Sequence, residues 1–414
     1  MEISSTKDKK QTAYKDTPIG KIPADWEVKK LGELGEVVTG LTYSPSQVRD
    51  TGLLVLRSSN VQDRVLVYND NVYVDERDLK YNPVKKGDIL ICVRNGSRAL
   101  IGKNARVDYK AEGLAFGAFM AIFRSVLNDY LFHFFDTDLY YKQIHVNLGA
   151  TINSINNNDL RDFKIPLPPL PEQQRIAEVL STWDQAIQCT EQLILQKEQR
   201  KKWLMQKLLT GKIRLKGFSG EWKEYSYERL LKVVKRPVKW DDNQLYKLIS
   251  VRRRSGGIFF REALFGRQIK VKDLRDLKVG DFLFSKMQIV HGASALVTKE
   301  FEGGKISGSY IATVARDSNI LNMEFFNWYS RLPYFYHQTL ISSYGVHIEK
   351  MTFDFESFLQ LKMNLPSIEE QTSIAAVLQA ADEEIELLKA KAEKLKEQKK
   401  GLMQQLLTGR KRLL

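Results

Sequence analysis

The chain has 414 residues, 43% hydrophobic and 28% charged, with 64 Lys and Arg against 50 Asp and Glu for a net charge of +14. This length predicts two to four domains with ample core, and without a run of about 18 apolar residues no membrane span is expected. The polar, lysine-rich residues 1–10 predict no signal peptide. Cys92 and Cys189, far apart and in no CxxC setting, predict neither a disulfide nor a zinc framework and point to a reduced, cytoplasmic compartment. The basic charge permits a polyanionic partner without requiring one.

In chain order, a polar N-terminal segment (1–21) precedes a first module (22–165) that opens on Ile22-Pro-Ala-Asp-Trp26. Short apolar runs at Leu53–Leu56, 89–93 and 119–123 predict strands, and the aromatic-rich stretch 130–141 predicts buried helix. Three polar loops follow strand ends or turns. They hold Arg57, Ser58 and Asn60, then Arg94, Asn95, Ser97 and Arg98, then Asn153 and Asn156 after a turn at Gly149.

The next block (166–215) carries apolar residues in steps of four and three at Ile176, Leu180, Trp183, Ile187, Leu204 and Leu208, interrupted by Lys197 and Lys201. A 3.5-residue period predicts a long helix with a narrow seam that needs a partner helix. Pro171 and Glu172 mark its start and Gly211 its stop.

A second module (216–364) repeats the frame of the first. Trp222 answers Trp26, and Gly280-Asp281-Phe282-Leu283 answers Gly87-Asp88-Ile89-Leu90; residues 345–348 answer 149–152. The stretch 325–336 again predicts buried helix. Its candidate loops differ: Arg252, Arg253 and Arg254, then Lys286 and Gln288, then His347.

The last block (365–414) has a seam of Ile374, Leu378, Ile385, Leu388, Leu395, Leu402 and Leu406, with Lys399 as its one polar intruder. It matches 167–215 without a gap at a constant offset of 198 residues, with 21 of 49 positions identical. A repeat of that length makes the chain a tandem. The order module, helix, module, helix lets the two copies pair antiparallel. The predicted fold class is α+β: two mixed α/β modules separated by two long antiparallel helices forming an intramolecular coiled coil with pseudo-twofold symmetry.

Chemistry is searched for and not found. There is no G-x-x-x-x-G-K-[ST] phosphate loop and no glycine-rich dinucleotide or methyl-donor turn. No Asn-Pro-Pro-Phe or Asp-Pro-Pro-Tyr tetrapeptide occurs, and none of the five histidines forms H-x-x-x-H. Pairs such as Asp78 with Lys80 and Asp276 with Lys278 are the chance product of a Lys- and Asp-rich chain. His145 and His337 read as core or surface filler. The chain reads as non-catalytic, with no metal site. Arg, Lys, Asn, Gln, Ser and His on the loops are the side chains that reach base edges in a DNA groove, although ordinary solvated loops use them too.

The block from Leu167-Pro-Pro-Leu-Pro-Glu-Gln-Gln-Arg-Ile-Ala to Leu208-Leu-Thr-Gly, its second copy, and the Ile22 to Trp26 opening resemble the specificity subunit of type I restriction-modification enzymes. The resemblance spans essentially the whole chain. It implies two target recognition domains, each reading half of a bipartite, asymmetric double-stranded DNA sequence, with the helices setting the unread gap. It implies docking of two methyltransferase subunits through the helix seam, and restriction subunits in the full complex. S-adenosylmethionine, ATP and Mg2+ would belong to those partners, none to this chain, and no membrane is involved. It also implies that the N-terminal segment lies near the C-terminus. Readings from other classes are a stand-alone basic DNA-binding regulator, a coiled-coil scaffold, or an enzyme with an unrecognised site.

Overall fold

A computed structural model describes residues 13–77, 79–148 and 153–413. Most of the polar N-terminal segment, Asp78 of the Asp78–Lys80 pair, and the repeat anchor 149–152 lie outside the described residues.

The two long helices form as predicted, Leu170–Leu208 and Ile368–Leu406, 39 residues each and roughly 58 Å long at 1.5 Å per residue. Gly211 and Gly409 follow them with φ of +68° and +71°, the left-handed conformation a helix stop favours. The chain divides into two compact units. One holds everything up to Thr190 together with everything from Lys391; the other spans Glu191–Ala390. The division falls inside both helices, so each unit contains half of each.

In the first unit, a four-stranded antiparallel sheet runs in the order Asn104–Arg106, Ile89–Cys92, Met120–Arg124, Glu36–Thr39. The runs expected at 89–93 and 119–123 are each trimmed or shifted by one residue. A second sheet orders Ala115–Phe116, Leu53–Leu56, Tyr73–Val74 and Val48–Arg49, its first pair parallel. The aromatic stretch 130–141 is two helices, Asn128–Phe134 and Asp138–Asn147, broken where the Thr137 side chain accepts from the Tyr140 amide.

The second unit repeats the first sheet, with Ser294–Leu296, Phe282–Ser285, Tyr310–Ala315 and Leu231–Val234 in the corresponding order. Its other sheet is different: Ile258–Phe265, Leu245–Val251, Lys305–Ser307 and Leu274–Asp276. Two helices, Met323–Tyr329 and Pro333–Ile341, again take up the aromatic stretch. The units share one sheet and the helices, and diverge in the other sheet.

Within each unit the helix halves run antiparallel. In the first, Asp184 meets Lys399 at 2.5 Å and Glu172 meets Arg412 at 2.8 Å, so one number falls as the other rises, and Arg175 donates to the Leu413 carbonyl at 3.2 Å. In the second, Lys197 meets Glu384 at 2.5 Å and Lys201 meets Asp382. The seam is broader than a bare coiled coil at its module ends. Ile176, Leu180 and Leu406 share a core with Trp26, Leu131 and Phe134. Leu208, Ile374 and Leu378 share one with Tyr227, Phe325 and Trp328. Toward mid-helix Ile385 is buried, while Trp183, Ile187, Leu388 and Leu395 are half-buried; Leu204 and Leu402, also half-buried, pack against the module cores. The change follows from the modules covering the helix ends on a second side.

Candidate nucleic-acid interface

In the first unit the three predicted loops converge. The Asn95 amide N–H donates to the Asn153 carbonyl at 3.2 Å, and Asn153 Nδ2 donates to the Gly96 carbonyl at 2.9 Å. Asn95 Nδ2 donates to Ser58 Oγ at 3.2 Å, while Asn95 Oδ1 accepts from the Ser97 amide. Arg57, Ser58, Arg94 and Asn95 border a cleft of about 830 Å³ that Leu41, Tyr43, Val48 and Phe119 also line. Arg94 lies over the Phe119 ring, 4.9 Å from its centroid.

One candidate is corrected. Asn60 is wholly buried: its Oδ1 accepts from the Arg57 amide, and its Nδ2 donates to the Val67 carbonyl and Asn71 Oδ1. It closes a loop. Asn156 caps the helix Asn157–Arg161, its side chain accepting from the amides of Asn158 and Asp159. The Asn60 side chain belongs to the local chain, because Asn satisfies turn donors as readily as a base edge, while Asn156 is exposed and spends only its Oδ1 on the cap. Arg57 is partly engaged, 3.2 Å from Asp70.

The second unit also gathers its three loops. The Arg254 amide donates to the His291 carbonyl at 2.6 Å, Ser255 N donates to Gly292 O at 2.9 Å, and Phe353 N donates to Lys286 O at 2.8 Å. Arg253 pairs with Glu349 at 2.9 Å, two residues beyond His347. Arg254 has φ of +58°, a left-handed backbone that turns the loop. Gln288 Oε1 is buried without a hydrogen-bond partner. Arg252 lies over Phe259, 4.5 Å from the centroid. Among the described residues, the side chains of Arg94, Arg98, Arg252, Arg254, Lys286 and His347 have neither hydrogen bond nor ion pair, and all but half-buried Lys286 are exposed. His145 and His337 are exposed, and Asp276 is taken by Lys305 at 2.5 Å.

Sequence reasoning assigned no partners to the polar residues that the repeat preserves. Glu172 binds Arg412 through both carboxylate oxygens at 2.8 Å and accepts from Trp26 Nε1 at 3.0 Å; Arg412 also holds Asp25 at 2.6 Å. The residues 198 positions away repeat the latch, Glu370 binding Arg214 by two bonds of 2.6 Å beside Trp222. Both glutamates are buried. The carboxylates hold the Arg412 and Arg214 guanidiniums more strongly protonated than usual. Gln173 and Gln371 each donate back to the proline carbonyl five residues earlier, at 2.7 and 3.0 Å. The Asp184–Lys399 and Lys201–Asp382 pairs are likewise 198-related. Identity of charged residues between the copies was the available signal. In the first unit the hairpin Tyr14–Thr17 with Gly20–Pro23 packs on this latch, Tyr14 donating to the Gly409 carbonyl at 3.1 Å, which places the early chain beside the C-terminal end.

Two loop-bearing α/β modules, duplicated together with latched helices, make up a tandem protein that repeats one sheet and the helices but not the loop chemistry. The type I restriction modification DNA specificity domain model matches residues 23–199 and again 247–397. The chain belongs to that family, that of the DNA sequence-specificity subunits of type I restriction-modification systems. It is similar to the putative MjaX specificity subunit of Methanocaldococcus jannaschii, 29% identical with 98% of each chain covered. The EcoKI specificity subunit of Escherichia coli is 31% identical over 39% of this chain and 37% of its own. Two solved structures share the fold. The type I S subunit from M. genitalium is 13% identical with a TM-score of 0.57, and the HsdS subunit from Thermoanaerobacter tengcongensis 18% with 0.50; each match covers 94% of this chain and 98% of the other. Among the described residues no helix is long and apolar enough to cross a membrane.

Proposed function

We propose that each unit reads one half of a bipartite, asymmetric duplex target, and that the chain directs adenine-N6 methylation, and restriction, by partner subunits. The observation that carries this is the convergence, in both units, of three loops with different side chains on an equivalent scaffold. One frame with two unlike sets of Arg, Lys, Asn and His suits two unlike half-sites. Reading two halves multiplies discrimination, because base contacts in separate sites add in free energy. The net charge of +14 supplies the salt-dependent phosphate attraction that brings the duplex in.

On this reading the chain performs no chemistry itself. Two methyltransferase subunits dock on the paired helices and use S-adenosylmethionine, and restriction subunits use ATP and Mg2+. Mapping N6-methyladenine across the genome of a host carrying this chain and its methyltransferase tests the proposal. The expected result is one motif in two specified parts separated by unspecified bases. Exchanging residues 40–150 for those of a relative should rewrite one part alone. A motif rewritten in both parts, or no motif, would overturn it.

A further inference from the structure

Three kinds of arginine occupy the converging loops. Arg57 and Arg253 are held by carboxylates at 3.2 and 2.9 Å, so part of their donor set is spent within the protein. Arg98 and Arg254 have no aromatic neighbour of the kind described next. Arg94 and Arg252 remain. Each is exposed, has no acidic partner among the described residues, and rests over one phenylalanine ring, at 4.9 Å over Phe119 and 4.5 Å over Phe259. Phe119 is itself 56% exposed, an unusual place for a large apolar ring. The two pairs come from loops unrelated in sequence, yet each unit has one at its point of convergence.

An arginine resting on an aromatic face loses rotamer freedom before any ligand arrives, while the edge of its guanidinium stays open for two parallel hydrogen bonds. The base that accepts two parallel bonds from such a fork is guanine, through O6 and N7 in the major groove. A phosphate contact needs charge but no such rigid placement, and the unstacked Arg98, Arg254 and Lys286 already supply charge.

We infer that Arg94 on Phe119 and Arg252 on Phe259 are specificity-determining pairs, each reading one guanine, one in each half of the target. The inference rests on the proposal that the units are half-site readers. The test is N6-methyladenine mapping with Arg94→Lys, Arg94→Ala, Arg252→Lys and Arg252→Ala in the full chain with its methyltransferase. Both Arg94 variants should blur one guanine in one half, with a loss of discrimination of about 5- to 150-fold at that base, and leave the other half sharp. Both Arg252 variants should do the same in the opposite half. Lysine keeps the charge and loses the fork, so a lysine variant that preserves the guanine would overturn the inference in favour of a phosphate contact. A uniformly weaker but unaltered motif, a blur at a base other than guanine, or a wild-type half without guanine would overturn it too, leaving the half-site reading intact. A wild-type chain giving no two-part motif would bring down that reading, and the inference with it. Phe119→Leu is the check on mechanism: it should blur the same base as Arg94→Lys, less strongly.

Discussion

At the scale of single residues, the most informative buried group is His133. It is 1% exposed, with its ring 3.2 Å from Ser181 Oγ and 3.6 Å from the Asp184 carboxylate. Burial first, then the neighbouring charges of Lys399 and Arg64, hold its pKa down to about 3, and these outweigh the opposing hydrogen bond with the Ala177 backbone. The unfolded imidazole titrates near 6.5, so between that pH and about 3 the unfolded chain binds one more proton at this residue. Stability from this site is therefore complete above about 6.5 and is lost as the pH falls toward 3. The slope at its steepest is about 1.4 kcal/mol per pH unit. His133→Gln should flatten the fall in urea-unfolding stability between pH 7.5 and 5; an unchanged slope would reject the assignment. Little of this was legible in the sequence. A histidine beside a run of phenylalanines shows burial, but Lys399 and Asp184 reach it from elsewhere in the chain. Asn60 was misread for a related reason. An asparagine that locks a turn is the same residue type as one that reads adenine, and only its bond partners tell them apart.

At the scale of elements, the long helices were legible almost to the residue, because a heptad seam and its stops are local signals. The order of the strands was not. Pairing Leu53–Leu56 in parallel with Ala115–Phe116 joins segments about sixty residues apart, and neither run records its neighbour. The lysines that break the seams were visible as interruptions, and their meaning lay in the other helix. Lys201 meets Asp382, with side chains 23% and 33% exposed, so the pair is shielded enough to matter. Lys201→Asp should lower stability by about 1–3 kcal/mol by setting two acids together. The exchange Lys201→Asp with Asp382→Lys should recover most of that, with a coupling of about 0.5–3 kcal/mol in a double-mutant cycle. Additive losses would show that the pair is incidental. Such a bridge contributes less to net stability than to choosing one register of the seam over its neighbours one heptad away.

At the scale of the whole molecule, the proposed function makes helix length a quantity to test. Inserting four residues between Leu208 and Thr210 adds about 6 Å of helix, close to two base pairs of duplex at about 3.4 Å each. Methylation mapping of this variant should show a changed number of unread bases between unchanged half-sites. Altered half-sites with the old gap would refute the idea that the helices measure it. The insertion falls between Lys201 and Arg214, so it leaves the Lys201–Asp382 bridge in place and shifts Arg214 against Glu370. The tandem latches thereby impose a rule of inheritance on the chain. The Glu172–Arg412, Glu370–Arg214, Asp184–Lys399 and Lys201–Asp382 bridges each take their acid from one repeated block and their base from the other, so neither block can lengthen alone without unseating a contact its twin supplies. Twins bound in this way serve as each other's gauge, and a change of span persists only where both sides of the join accommodate it.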